Sequence, residues 1–191
     1  MPPSATPTWA EVPLEEWQAA ARQRQEEAAK PPFVGTINGV TLGQGDGAER
    51  CSGKLEWHHD WQVAQGTPYD IQPGHLPAGA KEIWYTDPVP PIITCDGQVK
   101  SATRAWVVGG VGTLIIIKQS NPERRFEGLY PADRVRAATV GGRPAVVVEP
   151  MRRDGFMSTT VVFFPEPWGL TVVVGESLPY EETLRVAESL G

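Results

Sequence analysis

The apolar positions of this chain fall into short runs rather than long stripes. Ala145–Val148 (AVVV), Val161–Phe164 (VVFF) and Leu170–Val174 (LTVVV) each span four to five residues. Such runs are too short for helices, and their β-branched and aromatic side chains suit a pleated, half-buried surface. Gly141-Gly142 stands before the first run and supplies the positive φ of a two-residue hairpin turn. Pro165, Pro167 and Gly169 flank Trp168 between the next two. Proline donates nothing to a strand ladder, so the strand is predicted to end at Phe164. After Gly175, Ser177 fits a helix cap, Pro179 its first turn, and Glu181 and Glu182 the positive end of its dipole. Tyr180, Leu184, Ala187 and Leu190 share one face of the predicted helix Leu178–Leu190, and that face is expected to lie on the sheet.

Upstream, Pro13–Lys30 is rich in helix formers with acidic residues first, and its apolar face is thin: Leu14, Trp17, Ala21 and further alanines. It reads as a peripheral helix behind a loose, Pro-rich tail. Pro31-Pro32 ends it, which divides the chain into a tail and helix (1–32) and a single α+β domain (33–191). Asn38-Gly39 and Asp96-Gly97 are hairpin signals. Leu55–Val63 (LEWHHDWQV) is predicted as a strand with Glu56, His58 and Asp60 on one face and Trp57, His59 and Trp61 on the other, aromatics inward and polar groups outward. Tyr69–Thr86 reads as an extended segment entering a strand at Glu82–Thr86. Pro88, Pro90 and Pro91 then hold an extended crossing toward Ile92–Thr94. Arg104–Val108 and Thr113–Lys118 flank a turn at Gly109–Gly112. The unbroken run Leu114–Ile117 predicts a central strand covered on both faces. Asn121–Tyr130 reads as polar loop. Strands joined by short turns, without crossover helices, imply an antiparallel sheet and the α+β class.

Composition narrows the function. The chain has 191 residues, 40% hydrophobic and 21% charged, which is globular rather than disordered. A net charge of −6 argues against a nucleic-acid partner. The longest apolar stretch, Trp106–Ile117, is interrupted by three glycines and reads as a hairpin rather than a membrane span. The opening MPPSATPTWAEVP lacks the basic region and apolar core of a signal peptide, so the expectation is a cytosolic protein or one whose anchor lies outside this sequence.

The most chemical-looking residues are His58, His59, Asp60 and, further on, His75. They raise the alternative of a metal-dependent hydrolase. A zinc site needs three or four converging ligands. The chain has three histidines and no cysteine pair at zinc spacing, and strand alternation parts His58 from His59. The structural reading is therefore preferred, with no metal and no cofactor. Cys51 with His58 or His59 is conceivable as nucleophile and base, though such partners meet in space rather than in sequence. GQGDGA at 43–48 loosely matches a dinucleotide fingerprint, but no crossover helix follows it. No G-x-S-x-G, phosphate loop or H-E-x-x-H occurs. Arg124, Arg125, Arg134, Arg136, Arg143, Arg152 and Arg153 make 121–153 locally basic. They are read either as a patch for an acidic partner or anionic headgroup, or as solvated outer faces of a hairpin, the second being preferred. Cys51 and Cys95 are compatible with one disulfide or with two buried thiols.

Taken together, Leu76-Pro77-Ala78-Gly79, IWYTDP, the isoleucine-rich strand ending in Gln119-Ser120, VGGRPAVVV, and the closing helix with Ala187, Glu188 and Ser189 resemble an uncharacterised domain family. It looks like the extracytoplasmic domains fused to bacterial anti-sigma factors and sporulation-type lipoproteins. The resemblance covers about residues 69–191. The chain adds the Trp/His-bearing segment 33–66 and shows no membrane span. The resemblance implies a curved antiparallel sheet with a helix packed on it, in the style of lipoprotein carriers, and offers no catalytic residues. It implies a non-catalytic binding or sensor module outside the cytoplasmic membrane, with a protein or small molecule as partner and a possible membrane tether beyond this sequence. In that compartment a Cys51–Cys95 disulfide is expected.

Overall fold

A computed structural model describes residues 11–83 and 91–190. In chain order its elements are α1 (Leu14–Ala28), β1 (Gly35–Ile37), β2 (Val40–Gly43), β3 (Leu55–His58), β4 (Lys81–Ile83), β5 (Ile92–Cys95), β6 (Gln98–Val108), β7 (Gly112–Ser120), β8 (Arg125–Glu127), β9 (Val135–Val140), β10 (Arg143–Val148), β11 (Thr159–Glu166), β12 (Gly169–Glu176) and α2 (Tyr180–Glu188). The class is α+β, as the sequence predicts. Nine strands form one open antiparallel sheet in the order β3-β5-β6-β7-β12-β11-β10-β9, with β4 pairing a further stretch of β6. β1, β2 and β8 form a separate three-stranded sheet.

The hairpins follow their turn residues. Asn38 and Gly39 sit at φ 46° and 79° between β1 and β2, and Asp96 and Gly97 at 49° and 77° between β5 and β6. Two successive left-handed residues match the twist of the flanking strands. The central strands of the large sheet present alternate side chains to two cores. On one face, Leu114, Ile116, Val147, Val162, Phe164 and Val173 pack with Leu178, Val186, Ala187 and Leu190 of the α2 region. On the other, Val146, Val148, Val161, Phe163 and Val172 pack with Val40 and Leu42 of the small sheet. The Asn38 side chain stitches the small sheet to the large one, donating to the Ala145 carbonyl (2.8 Å) and the Ala138 carbonyl (3.3 Å).

Several expectations change. β11 runs through Pro165 to Glu166. Pairing of β11 with β10 stops at Phe163, so Pro165 interrupts no bond on that side, and its β12 partner is Leu170. Ser177 does not cap α2: it adopts φ 51°, and Pro179 stands at the N-cap with no side-chain hydrogen bond. The buried face of α2 is turned toward Thr183 and Val186, which with Ala187 lie inside, whereas Tyr180 and Leu184 lie at the rim of the core. In β7, Leu114 and Ile116 are fully buried, but Ile115 and Ile117 are only half-buried. The second core covers that strand partially because the small sheet is narrow. The region read as polar loop, 121–130, contains β8, which pairs in parallel with β2. Buried Asn121 shapes the turn before it, accepting from Arg125 N and donating to the Arg125 carbonyl. β3 ends at His58, because Asp60 caps a short 3-10 turn over Trp61–Val63 by accepting from Gln62 N at 2.9 Å. Its faces are also reversed: Trp57 is 64% exposed while Glu56 and His58 are half-buried. β3 is an edge strand, and the His58 side lies over β5, where its Nε2 meets Thr94 Oγ1 at 2.9 Å. Of the strand expected at Glu82–Thr86, β4 supplies Glu82 and Ile83; Trp84–Thr86, Pro88 and Pro90 lie outside the described residues.

Cys51 and Cys95 are joined by a disulfide, with Cα atoms 5.6 Å apart and a sequence separation of 44. It ties the loop before β3 to the end of β5. The chain-entropy model gives a loop of this size a stabilisation of about 3–4.5 kcal/mol before any strain is subtracted. Reduction by dithiothreitol should therefore lower the urea midpoint markedly; an unchanged midpoint with both thiols free would contradict this. Leu178, 1% exposed between the sheet and α2, should cost about 2–5 kcal/mol when cut to alanine, from transfer and cavity terms. Leu184→Ala, at the rim, should cost clearly less, and equal losses in urea unfolding would show that the helix face is misassigned.

Candidate ligand cavity

The residues singled out for chemistry are scattered. His58 is bonded to Thr94 on β5. His59 and Asp60 are exposed, and Asp60 is occupied with its turn. His75 lies beside α2, its Nε2 2.7 Å from Glu182 Oε1. The four do not converge, and no group of three or more potential metal ligands occurs among the described residues. Cys51 is engaged in the disulfide and has no thiol to serve as nucleophile. The Gly43–Ala48 loop leaves β2 without entering a helix.

The seven arginines do not form one patch. Arg124 donates to the Glu166 carbonyl, and Arg125 faces Glu123 at 3.5 Å. Arg136 bonds the carbonyls of Val135 and Asp133. Arg143 is paired with Glu166 and donates to the Leu190 carbonyl. Arg152 pairs with Asp154 at 2.7 Å, and Arg153 with Glu181 at 3.4 Å. Arg134, with a side chain only 17% exposed, turns inward, donating from Nε to the Glu149 carbonyl and from Nη2 to the Thr159 carbonyl.

Arg134 lines a cavity of about 510 Å³ between α1 and the end of the sheet. Its apolar floor is Val148 and Val161, from adjacent strands β10 and β11, with Tyr130, Met151 and Met157. α1 forms the roof through Trp17, Arg24, Glu27 and Ala28. Ser158, Thr159 and Ser177 add hydroxyls at one end, and Glu176 a second carboxylate. The charged lining thus balances, with two arginines against two glutamates. Burial pushes the Tyr130 hydroxyl up to about 12, so it faces the cavity as a neutral phenol. Glu27 Oε1 accepts from Lys30 at 2.5 Å, whereas its Oε2 is buried without a hydrogen bond and stands 3.9 Å from Arg134 Nη1. Buried polar atoms normally find partners, so this stretched pair is the weak point of the roof. No run of residue types announced the cavity, since its walls come from α1, the segment before β9, the loop after β10 and three strands, β10, β11 and the end of β12. The one available signal was the concentration of arginine in 121–153, which includes Arg134.

α1 is held over the cavity by few apolar contacts. Only Ala20 is buried among its residues, and Trp17 meets Phe156 edge-on at 4.6 Å between ring centroids. Ion pairs do the rest: Lys30 with Asp133 at 2.8 Å, Glu16 with Arg152 at 3.8 Å, and Glu27 with Arg134. No protein-family model, curated protein or solved structure matches the chain.

The hydrogen bond from Lys30 holds the Asp133 carboxyl below its ordinary 3.8. A carboxylate whose pKa is depressed in the folded state contributes fully above its ordinary value and loses that contribution as pH falls from there through the depressed value. Acidification below about pH 4 should thus weaken the docking of α1 before the sheet unfolds, and high salt should act in the same direction. Hydrogen exchange read by mass spectrometry should show residues 14–28 losing protection while β10–β12 keep theirs; simultaneous loss in both would contradict it.

Proposed function

We propose that this chain is a non-catalytic binding or sensor module acting outside the cytoplasmic membrane, and that it holds a small neutral or zwitterionic amphipathic ligand under α1. The cavity carries this reading. Its volume of about 510 Å³ falls in the range of about 300–1,000 Å³ for small-molecule sites, which are mostly apolar with a few placed polar groups. An apolar floor of Val148, Val161, Met151 and Met157 suits a hydrocarbon surface, and the balanced Arg24, Arg134, Glu27 and Glu176 favour a ligand without net charge. The sensing part follows from the roof. A ligand that reaches Glu27 and Arg134 changes the energy of α1 docking, and α1 leads directly into the N-terminal segment. The disulfide fits an oxidising compartment, and the resemblance to extracytoplasmic anti-sigma and lipoprotein domains points the same way.

Two experiments test this. Ala28 faces the cavity from α1, so Ala28→Trp should fill it without overpacking the sheet. Saturation-transfer NMR with a panel of neutral, zwitterionic and anionic amphiphiles below their micelle concentrations should find saturable binding that the variant loses while keeping its melting temperature. Absence of saturable binding across the panel would sink the ligand reading. For location, protein alkylated in its native cells before lysis should yield no labelled Cys51 or Cys95; stoichiometric labelling of both would contradict an oxidising compartment.

A further inference from the structure

β3 lies at the end of the large sheet and pairs only with β5 among the described residues. Lys54 faces β5: its N–H donates to Asp96 Oδ1 at 2.8 Å, and its carbonyl accepts from Asp96 N at 3.0 Å. Backbone direction alternates along a strand, so Glu56 and His58 also face β5, while the N–H and C=O of Leu55 and Trp57 point out of the sheet. Native edges are usually blunted or covered. Here the side chains of those two residues are 50% and 64% exposed and lie on one face. On the opposite face Lys54 and Glu56 pair with each other at 2.8 Å.

We infer that the open edge of β3 pairs with β3 of a second copy of this chain, antiparallel and centred on Leu55. The outward backbone groups admit three registers, and side chains select among them. Leu55 opposite Trp57 sets the two Glu56 carboxylates face to face, which is repulsive. Trp57 opposite Trp57 sets Glu56 against His58, already bonded to Thr94, and Leu55 against His59. Leu55 opposite Leu55 lets the two leucines exchange both backbone hydrogen bonds. It also sets each Lys54 opposite the second copy's Glu56, so the two intrachain pairs close into a square of alternating charge. Each Trp57 then lies just past the end of the second copy's β3, beside the bend at Ser52-Gly53, where Gly53 has no side chain to obstruct the indole. The paired edges bring both copies of Leu55 and Trp57 into one apolar strip. The contact is short, which makes the dimer concentration-dependent rather than permanent. This assembly does not rest on the ligand cavity, which lies across the sheet beside β10 and β11.

A charge-swap experiment on the full chain tests the register. Sedimentation equilibrium across a concentration series should show a monomer–dimer equilibrium. Lys54→Glu and Glu56→Lys each set like charges across the pair and should weaken dimerisation by about tenfold or more. An equimolar mixture of the two variants restores both opposite-charge pairs, so its heterodimer should recover the affinity of the parent protein. Leu55→Pro removes an N–H that points away from β5 and makes no bond among the described residues, and an edge strand tolerates it; it should abolish the dimer with circular dichroism unchanged. A parent protein that stays monomeric at millimolar concentration, or a dimer that both single charge variants leave intact, or variants that mixing fails to rescue, would overturn the inference.

Discussion

The structure depends on covering both faces of three adjacent strands. β10, β11 and β12 carry almost no polar alternation: Val146, Val147, Val148, Val161, Val162, Phe163, Phe164, Val172 and Val173 are all buried. An antiparallel sheet commonly shows one face to water, and these strands have none to show. α2 closes one side and the three-stranded sheet closes the other. Each buried side chain of this size contributes about 1.5–3 kcal/mol, so the cover on each side is held chiefly by the strands beneath it. Everything peripheral is then fitted around these layers, including α1, the cavity and the exposed β3 edge.

The two covers differ in kind. α2 comes from the chain directly after β12 and brings Val186, Ala187 and Leu190 onto its own neighbouring strands. The small sheet comes from 35–43 and 125–127 and needs a parallel pairing between β2 and β8. It is too narrow to span the whole face. The cavity exists because α1, rather than a further strand, covers what remains beside Val148 and Val161. A helix with one buried residue and several ion pairs makes a looser roof than a strand in register.

What could be read from the amino acids divides along the same line. The runs at 145–148, 161–164 and 170–174 and the turn pairs Asn38-Gly39, Asp96-Gly97 and Gly141-Gly142 are local signals, and the strands and hairpins stand where these place them. The class followed from the absence of crossover helices. The cysteine count alone left the bonding open, and the Cys51–Cys95 disulfide expected from the resemblance is present. Some misreadings are local, such as the cap of α2 and the turn at Asp60 that ends β3, and the others involve a partner distant in sequence. β8 is three residues of polar-looking chain that become a strand because β2 lies beside them. Trp57 faces outward because β3 is an edge, which no alternation pattern reveals. α2 turns toward Val186 because the groove between its strands, rather than the helix periodicity alone, sets its rotation. The cavity was illegible for the same reason, its walls being drawn from four separate parts of the chain.

The parallel pairing of β2 with β8 has a kinetic meaning. Thr41 meets Arg125, and Leu42 meets Phe126, only after most of the large sheet has been threaded between them. Contacts so remote in sequence carry a large loop-closure cost and form slowly. The hairpins β6–β7 and β11–β12 assemble from neighbouring chain and have no such delay. During folding, Val146, Phe163 and Val172 therefore wait exposed until the small sheet arrives. In that interval the apolar face they form is open to other chains.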